Sequence, residues 1–120
     1  MDELYSFMVL SGEPERIYMA FITAIGIVTL GGKVYMFFTM DGLKGATRQV
    51  DDIALPNAKP LRYYVDNLMG LGGGDVELAA CALGASVKAV SKEELLPGVK
   101  VSGIVEFSTK SSVSKATFVF

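Results

Sequence analysis

Short apolar segments alternate with helical segments along nearly the whole chain, and this alternation restricts the fold more than any other property of the sequence. Short, mostly apolar runs rich in β-branched or aromatic residues are typical of buried strands. Five runs fit this description: Tyr5–Leu10, Lys33–Phe38, Val76–Ala80, Ser102–Glu106 and Ala116–Phe120. Strands that alternate with helices through short connections favour a parallel sheet with right-handed crossovers. The 120 residues are enough for one core and too few for two, so we predict a single α/β domain over residues 1–120.

The first helical segment carries no charge over most of its length. It begins near Pro14, where Ser11 or Gly12 can cap it, and glycines after Leu30 stop it. Its uncharged part, residues 17–30, is shorter than the ~20 residues that span a bilayer, so we expect no membrane span. A helix that is apolar on all sides needs cover beyond the sheet. The sequence therefore predicts that the protein is an oligomer.

Two other segments need interpretation. Residues 44–59 show no clear periodicity, and a connection of this length is more often a lid or a binding loop than a spacer.

A second helix begins at Pro60 and ends in the glycines at 70–74. A phosphate-binding glycine motif follows a strand and precedes a helix, whereas here the order is reversed. We read these glycines as a helix stop and expect no nucleotide cofactor.

Cys81 is the only cysteine, and it follows the third predicted strand and precedes a short helical stretch. A strand-to-helix junction lies at the carboxyl edge of a parallel sheet, where ligands bind in open α/β folds. The start of a helix also favours a thiolate over a thiol. A free cysteine is equally often a small buried hydrophobe. The sequence alone leaves both interpretations open.

Composition excludes several functions. The chain contains no histidine and one cysteine, which rules out a Ser-His-Asp triad, a Cys-His dyad, histidine-bound zinc and a thiolate metal site within one chain. The net charge is −2 without a basic cluster, so nucleic-acid binding is not expected. Asp2 and Glu3 follow Met1, the opposite of a positive secretory signal. With no internal disulfide available, we expect a cytoplasmic protein.

Three motifs in order give the chain a family resemblance. They are the strand and turn GKVYMFFTMDGL (32–43), the strand VELAAC (76–81) and the segment KEELLPGVKVSG (92–103). The chain resembles the DsrE/DsrF-like family of sulfur-relay proteins, especially its peroxiredoxin-like branch. The resemblance implies a three-layer α/β/α fold with a five-stranded parallel sheet of order 2-1-3-4-5. It also implies homotrimers or homohexamers.

The same resemblance implies a function for Cys81. In the family, a cysteine at this place carries sulfane sulfur as a persulfide or a thiosulfonate. The protein would then be a sulfur carrier, a sulfurtransferase component rather than an enzyme that turns over alone. Its partners would be donor and acceptor proteins such as rhodanese-like or TusA-like carriers.

The implied strand order would place a crevice between strands one and three. Ser11 and Gly12 would face Cys81 across it, with Thr39 and Asp41 farther along the same edge, so these four are the substrate-binding candidates. Each also has a structural explanation, because Ser11 can cap a helix and Thr39 and Asp41 can shape a turn. Two other functions stay open, both with an incidental Cys81: a flavodoxin-like module that binds a small anion, and a structural oligomeric subunit.

Overall fold

The computed structural model of the chain describes residues 2–120. All strand pairings are parallel, and helices cover both faces of the five-stranded sheet, which confirms the predicted α/β class. The strands are β1 (Leu4–Val9), β2 (Lys33–Phe38), β3 (Val76–Cys81), β4 (Lys100–Ser102) and β5 (Ala116–Val119). The helices are α1 (Pro14–Thr29), α2 (Leu61–Gly72), α3 (Ala82–Val87) and α4 (Ile104–Ser112).

The order of the strands is β4-β3-β2-β1-β5. Two pairings differ from the expected order 2-1-3-4-5. β2 lies between β1 and β3, where β1 and β3 were expected to be neighbours, and β5 pairs with β1. Crossovers through α1 and α2 on one face add β2 and β3 in one direction, whereas α4 packs on the other face and returns the chain to β5 beside β1. The direction therefore reverses between β1 and β5. The crevice expected between β1 and β3 does not form, because β2 occupies that place.

Two hydrophobic clusters stabilise the two faces of the sheet. The larger lies under α1 and α2 and includes alternate residues of the central strands, such as Phe7, Met36 and Leu78. The smaller lies under α4 and consists of Tyr35, Phe37, Ala79, Cys81 and Phe107. One short helix thus covers the face to which Cys81 belongs.

The chain between β4 and β5 differs from its prediction. The strand expected at 102–106 ends at Ser102, and the polar connection expected at 108–115 is largely helix α4. Ile104 and Val105 are β-branched and favour a strand. Both are exposed on α4, where only Phe107 is buried. The need to cross the sheet and bury one aromatic ring outweighs the local preference.

The first part of residues 44–59 packs against the core, and the lid or binding-loop role expected for this segment stays a prediction. The chain forms 3-10 turns at Met40–Ala46 and Arg48–Asp52. Leu43, Ala46 and Val50 are fully buried in the larger cluster. The aperiodic spacing of apolar residues reflects these tight turns, in which side chains three apart eclipse one another.

Helix α1 keeps an apolar stripe on its outer side. Met19, Ile22 and Leu30 are exposed, and their spacing places them on one side of the helix. Within residues 2–120, no helix has both the length and the hydrophobicity to cross a membrane. In the monomer this stripe faces solvent.

Candidate functional site

Cys81 ends β3 and caps α3. Its side chain points to the α4 face, where it belongs to the smaller cluster and is 6% exposed. Its Sγ accepts a hydrogen bond from the Gly84 amide at 3.3 Å. The first turn of α3 therefore supplies one hydrogen-bond donor to the sulfur. The junction predicted from sequence is present, and the thiol is also largely covered.

Thr39 lies beside Cys81 at the carboxyl edge of the sheet. Phe38 pairs with Ala80, so the next residues of β2 and β3 are neighbours. Gly84 packs against this turn so closely that a Cβ there would lie 2.7 Å from Thr39 Oγ1 and 2.8 Å from the Met40 amide nitrogen. Only glycine lets the first turn of α3 approach this closely. The approach holds the Gly84 amide in line with the sulfur.

The other three candidates form a separate group along the same edge. Gly12 lies directly against Asp41, and Lys88 pairs with Asp41 at 2.9 Å. The hydrogen bond and positive charge of Lys88 lower the pKa of Asp41. Ser11 Oγ accepts from the Glu13 amide at 3.1 Å, which is a local helix-start contact. Ser11 and Gly12 do not face Cys81, because β2 and its turn lie between them.

Asp41 of this second group, together with its partner Lys88, borders a small cavity of about 140 Å³. Its lining comprises Met40, Asp41, Leu43, Lys44, Gln49, Lys88 and Val90, and does not include Cys81. The structure therefore unites Thr39 with Cys81 and places Ser11, Gly12 and Asp41 apart from the thiol.

Comparison with known proteins assigns the family. The model of the DsrE/DsrF-like family matches residues 5–120, nearly the entire chain. The chain belongs to the DsrE/DsrF-like family. This family is generally linked to sulfur relay. No curated protein matches the sequence.

Two solved structures resemble this DsrE/DsrF-like chain in fold. The YchN protein from E. coli is 14% identical, with 100% of both chains covered and a TM-score of 0.78. MTH1491 from Methanobacterium thermoautotrophicum, a protein of unknown function, is 15% identical, with 99% of this chain and 100% of that chain covered and a TM-score of 0.74. At such identities the likeness concerns the fold alone.

Two aromatic residues share the cluster of Cys81 and were not among the site candidates chosen from the sequence. Phe107 of α4 is 8% exposed and packs on Phe37, with ring centroids 5.3 Å apart. Tyr35 lies in the same cluster and was expected to be ordinary core. Alternation along β2 places Tyr35, Phe37 and Thr39 on one face. This alternation indicates which residues of β2 share a face with Cys81 only when β2 is known to pair with β3.

Proposed function

We propose that this DsrE/DsrF-like protein is a sulfur carrier in which Cys81 holds sulfane sulfur between a donor and an acceptor. The observation that supports this most is the Gly84 amide, 3.3 Å from the Cys81 sulfur at the first turn of α3. Backbone donors at the start of a helix stabilise an anionic sulfur, whether it is a thiolate or a persulfide. The family's link to sulfur relay supports the same conclusion.

The chemistry needs only thiolate exchange. With thiosulfate as donor, the Cys81 thiolate attacks the outer sulfur, an S–S bond to Cys81 forms, and the S–S bond to the sulfonate breaks to release sulfite. An acceptor thiolate then attacks the outer sulfur of the persulfide and regenerates the Cys81 thiolate. Neither step requires an external oxidant, and the formal charge is conserved in both.

The single cysteine suits a carrier. A resolving thiol in the same chain would release the cargo as an internal disulfide, and this chain has none. The loaded sulfur can therefore persist until a partner thiolate arrives. We propose sulfur donor and acceptor proteins as partners, so the chain is one component of a sulfurtransferase system.

Intact-mass measurement tests the carrier function. After incubation with thiosulfate, tetrathionate or polysulfide, the wild-type protein should gain a sulfur-containing adduct that dithiothreitol removes. Cys81→Ser should gain none under any donor. An unmodified wild-type thiol under all three donors would contradict the carrier function and favour a small-anion module or a structural subunit, in which Cys81 is incidental.

We also propose that a second copy of the chain covers the apolar stripe of α1. Met19, Ile22 and Leu30 are exposed apolar residues at helical spacing. Removing their apolar surface from water lowers the free energy and therefore favours association. Sedimentation should show a closed homo-oligomer, with a trimer or hexamer expected. Ile22→Glu should dissociate it, whereas Val105→Glu, an equal change on α4, should not. A wild-type monomer at high protein concentration would contradict this assembly.

A further inference from the structure

The cavity beside the turn after β2 is lined by more positive than negative charge. It measures about 140 Å³, and the charged residues that border it are two lysines, Lys44 and Lys88, and one carboxylate, Asp41. The chain as a whole carries a formal net charge of −2, so this local excess of positive charge runs against the overall balance. A concave site with an excess of one charge attracts ions of the opposite sign. The cavity is therefore a candidate site for an anion.

Asp41 fixes Lys88 at the edge of this cavity. The Lys88 ammonium lies 2.9 Å from the Asp41 carboxylate. The hydrogen bond and positive charge of Lys88, with a smaller contribution from the charge of Lys44, lower the pKa of Asp41. Asp41 therefore stays ionised at neutral pH and keeps hold of Lys88. Because an ammonium group has three N–H donors, Lys88 can bind Asp41 and still donate to a ligand.

Two further donors at the cavity are unpaired within residues 2–120. They are the ammonium of Lys44 and the side-chain amide of Gln49. Gly12 leaves room for the first of them, because a Cβ on Gly12 would lie 3.3 Å from Lys44 Nζ. The same Cβ would lie 3.0 Å from the Cβ of Asp41, so Lys44 and Asp41 flank one point just beyond the end of β1. The cavity thus offers more N–H donors than its own acceptors can engage.

The volume of the cavity restricts its ligand to a small one. Met40, Leu43 and Val90 supply the apolar part of the lining. Sites for drug-sized molecules and cofactors typically measure about 300–1,000 Å³, which is more than twice this volume. A nucleotide does not fit, whereas an inorganic ion of a few atoms does. The side chains of Lys88 and Asp41 are about half exposed, so such an ion can enter from solvent.

We propose that this cavity binds a small oxyanion with two negative charges, of the sulfate or thiosulfate kind, with Lys44 and Lys88 as its cationic ligands. The tetrahedrally arranged oxygen atoms of such an ion can accept hydrogen bonds from both ammonium groups and from the Gln49 amide. Attraction to a positive site grows with the charge of the ion, so a doubly charged ion is preferred over a singly charged one. Cys81 is not part of the lining, and this binding therefore does not depend on the proposed carrier function.

Calorimetric titration with sulfate tests the site, because sulfate does not react with thiols. Wild type should bind sulfate saturably, and the affinity should fall as sodium chloride is added, since salt screens exposed charges. Lys44→Gln should weaken binding about tenfold, the effect of losing one hydrogen bond between charged groups. The protein should still fold, because Lys44 forms no ion pair within residues 2–120. Lys44→Arg keeps the positive charge and should retain most of the affinity.

Lys92→Gln removes an exposed lysine that does not border this cavity, and as the matched control it should leave the sulfate affinity unchanged. Thiosulfate should bind to Cys81→Ser, in which no covalent reaction can contribute, and acetate should bind more weakly than either dianion. The inference is overturned if sulfate gives no saturable binding, if acetate binds as tightly as sulfate, or if Lys44→Gln and Lys92→Gln weaken binding equally. None of these results changes the loading of Cys81 with sulfur, which the intact-mass measurement tests separately.

Discussion

Phe107→Ala is expected to raise the rate at which a bulky aromatic disulfide modifies Cys81 in the folded protein by about tenfold to a hundredfold. Helix α4 contributes one buried side chain, Phe107, to the cluster that covers Cys81, whereas Ile104 and Val105 beside it are exposed. A buried thiol reacts through transient local opening. Removing a buried phenylalanine ring typically costs about 3–5 kcal/mol, and part of this loss should make opening of α4 easier.

The reaction of Cys81 with the aromatic disulfide releases an aromatic thiolate, and the rate of this release tests the prediction. Phe107→Leu retains most of the apolar contact and should react at a rate close to wild type. Val105→Ala removes a side chain that is 76% exposed on the same helix and is the matched control. If Phe107→Ala and wild type react equally fast, the reagent reaches Cys81 by a route that does not involve α4.

The cover over Cys81 also limits how a donor protein could reach the thiol. At 6% exposure, Cys81 offers little surface to a protein-sized donor. We therefore expect opening of α4 to precede transfer. Its first turn is held mainly by Phe107 and by the Ser102–Glu106 hydrogen bond, contacts that can break without disturbing the sheet. A carrier gains from this arrangement, because the covered persulfide is protected from stray thiols.

Gly42→Ala should destabilise the protein by more than about 4 kcal/mol or prevent folding. A Cβ at this position would lie 2.0 Å from the Val9 carbonyl oxygen and 2.5 Å from its carbon. Both are backbone atoms at the end of the central strand β1, so neither can move aside alone. The Gly42 amide also donates to the Leu10 carbonyl at 3.1 Å, and the clash would break this bond.

Urea unfolding followed by circular dichroism measures the effect. Gly70→Ala in α2 is the matched control, because a Cβ there meets no atom within 4 Å. It should raise stability by about 0.5–1 kcal/mol, the usual gain when alanine replaces glycine in a helix. A wild-type unfolding midpoint for Gly42→Ala would contradict the close approach between the turn after β2 and the end of β1.

Much of the fold could be predicted because its signals are local. The strand Lys33–Phe38 was predicted with its observed ends, since aromatic and branched residues stand between glycines and a polar turn. The start of the first helix at Pro14 was also correct, because proline at the first helical position marks a helix start locally. The cap expected at Ser11 or Gly12 was wrong, since Glu13 is the N-cap and its side chain makes no capping hydrogen bond. The strand-to-helix junction at Cys81 followed from the same kind of pattern.

The sequence by itself determined which segments become the first three strands, where the thiol lies along the chain, and which chemistries the absence of histidine excludes. These three features depend only on which residues are present and on patterns within one short segment of the chain. Only the tertiary structure decided that β2 separates β1 from β3 and that Phe107 packs in the same cluster as Cys81. These depend on pairing between segments far apart in the chain and on which face each crossover takes. Their free energy comes from contacts that no local window of residues contains.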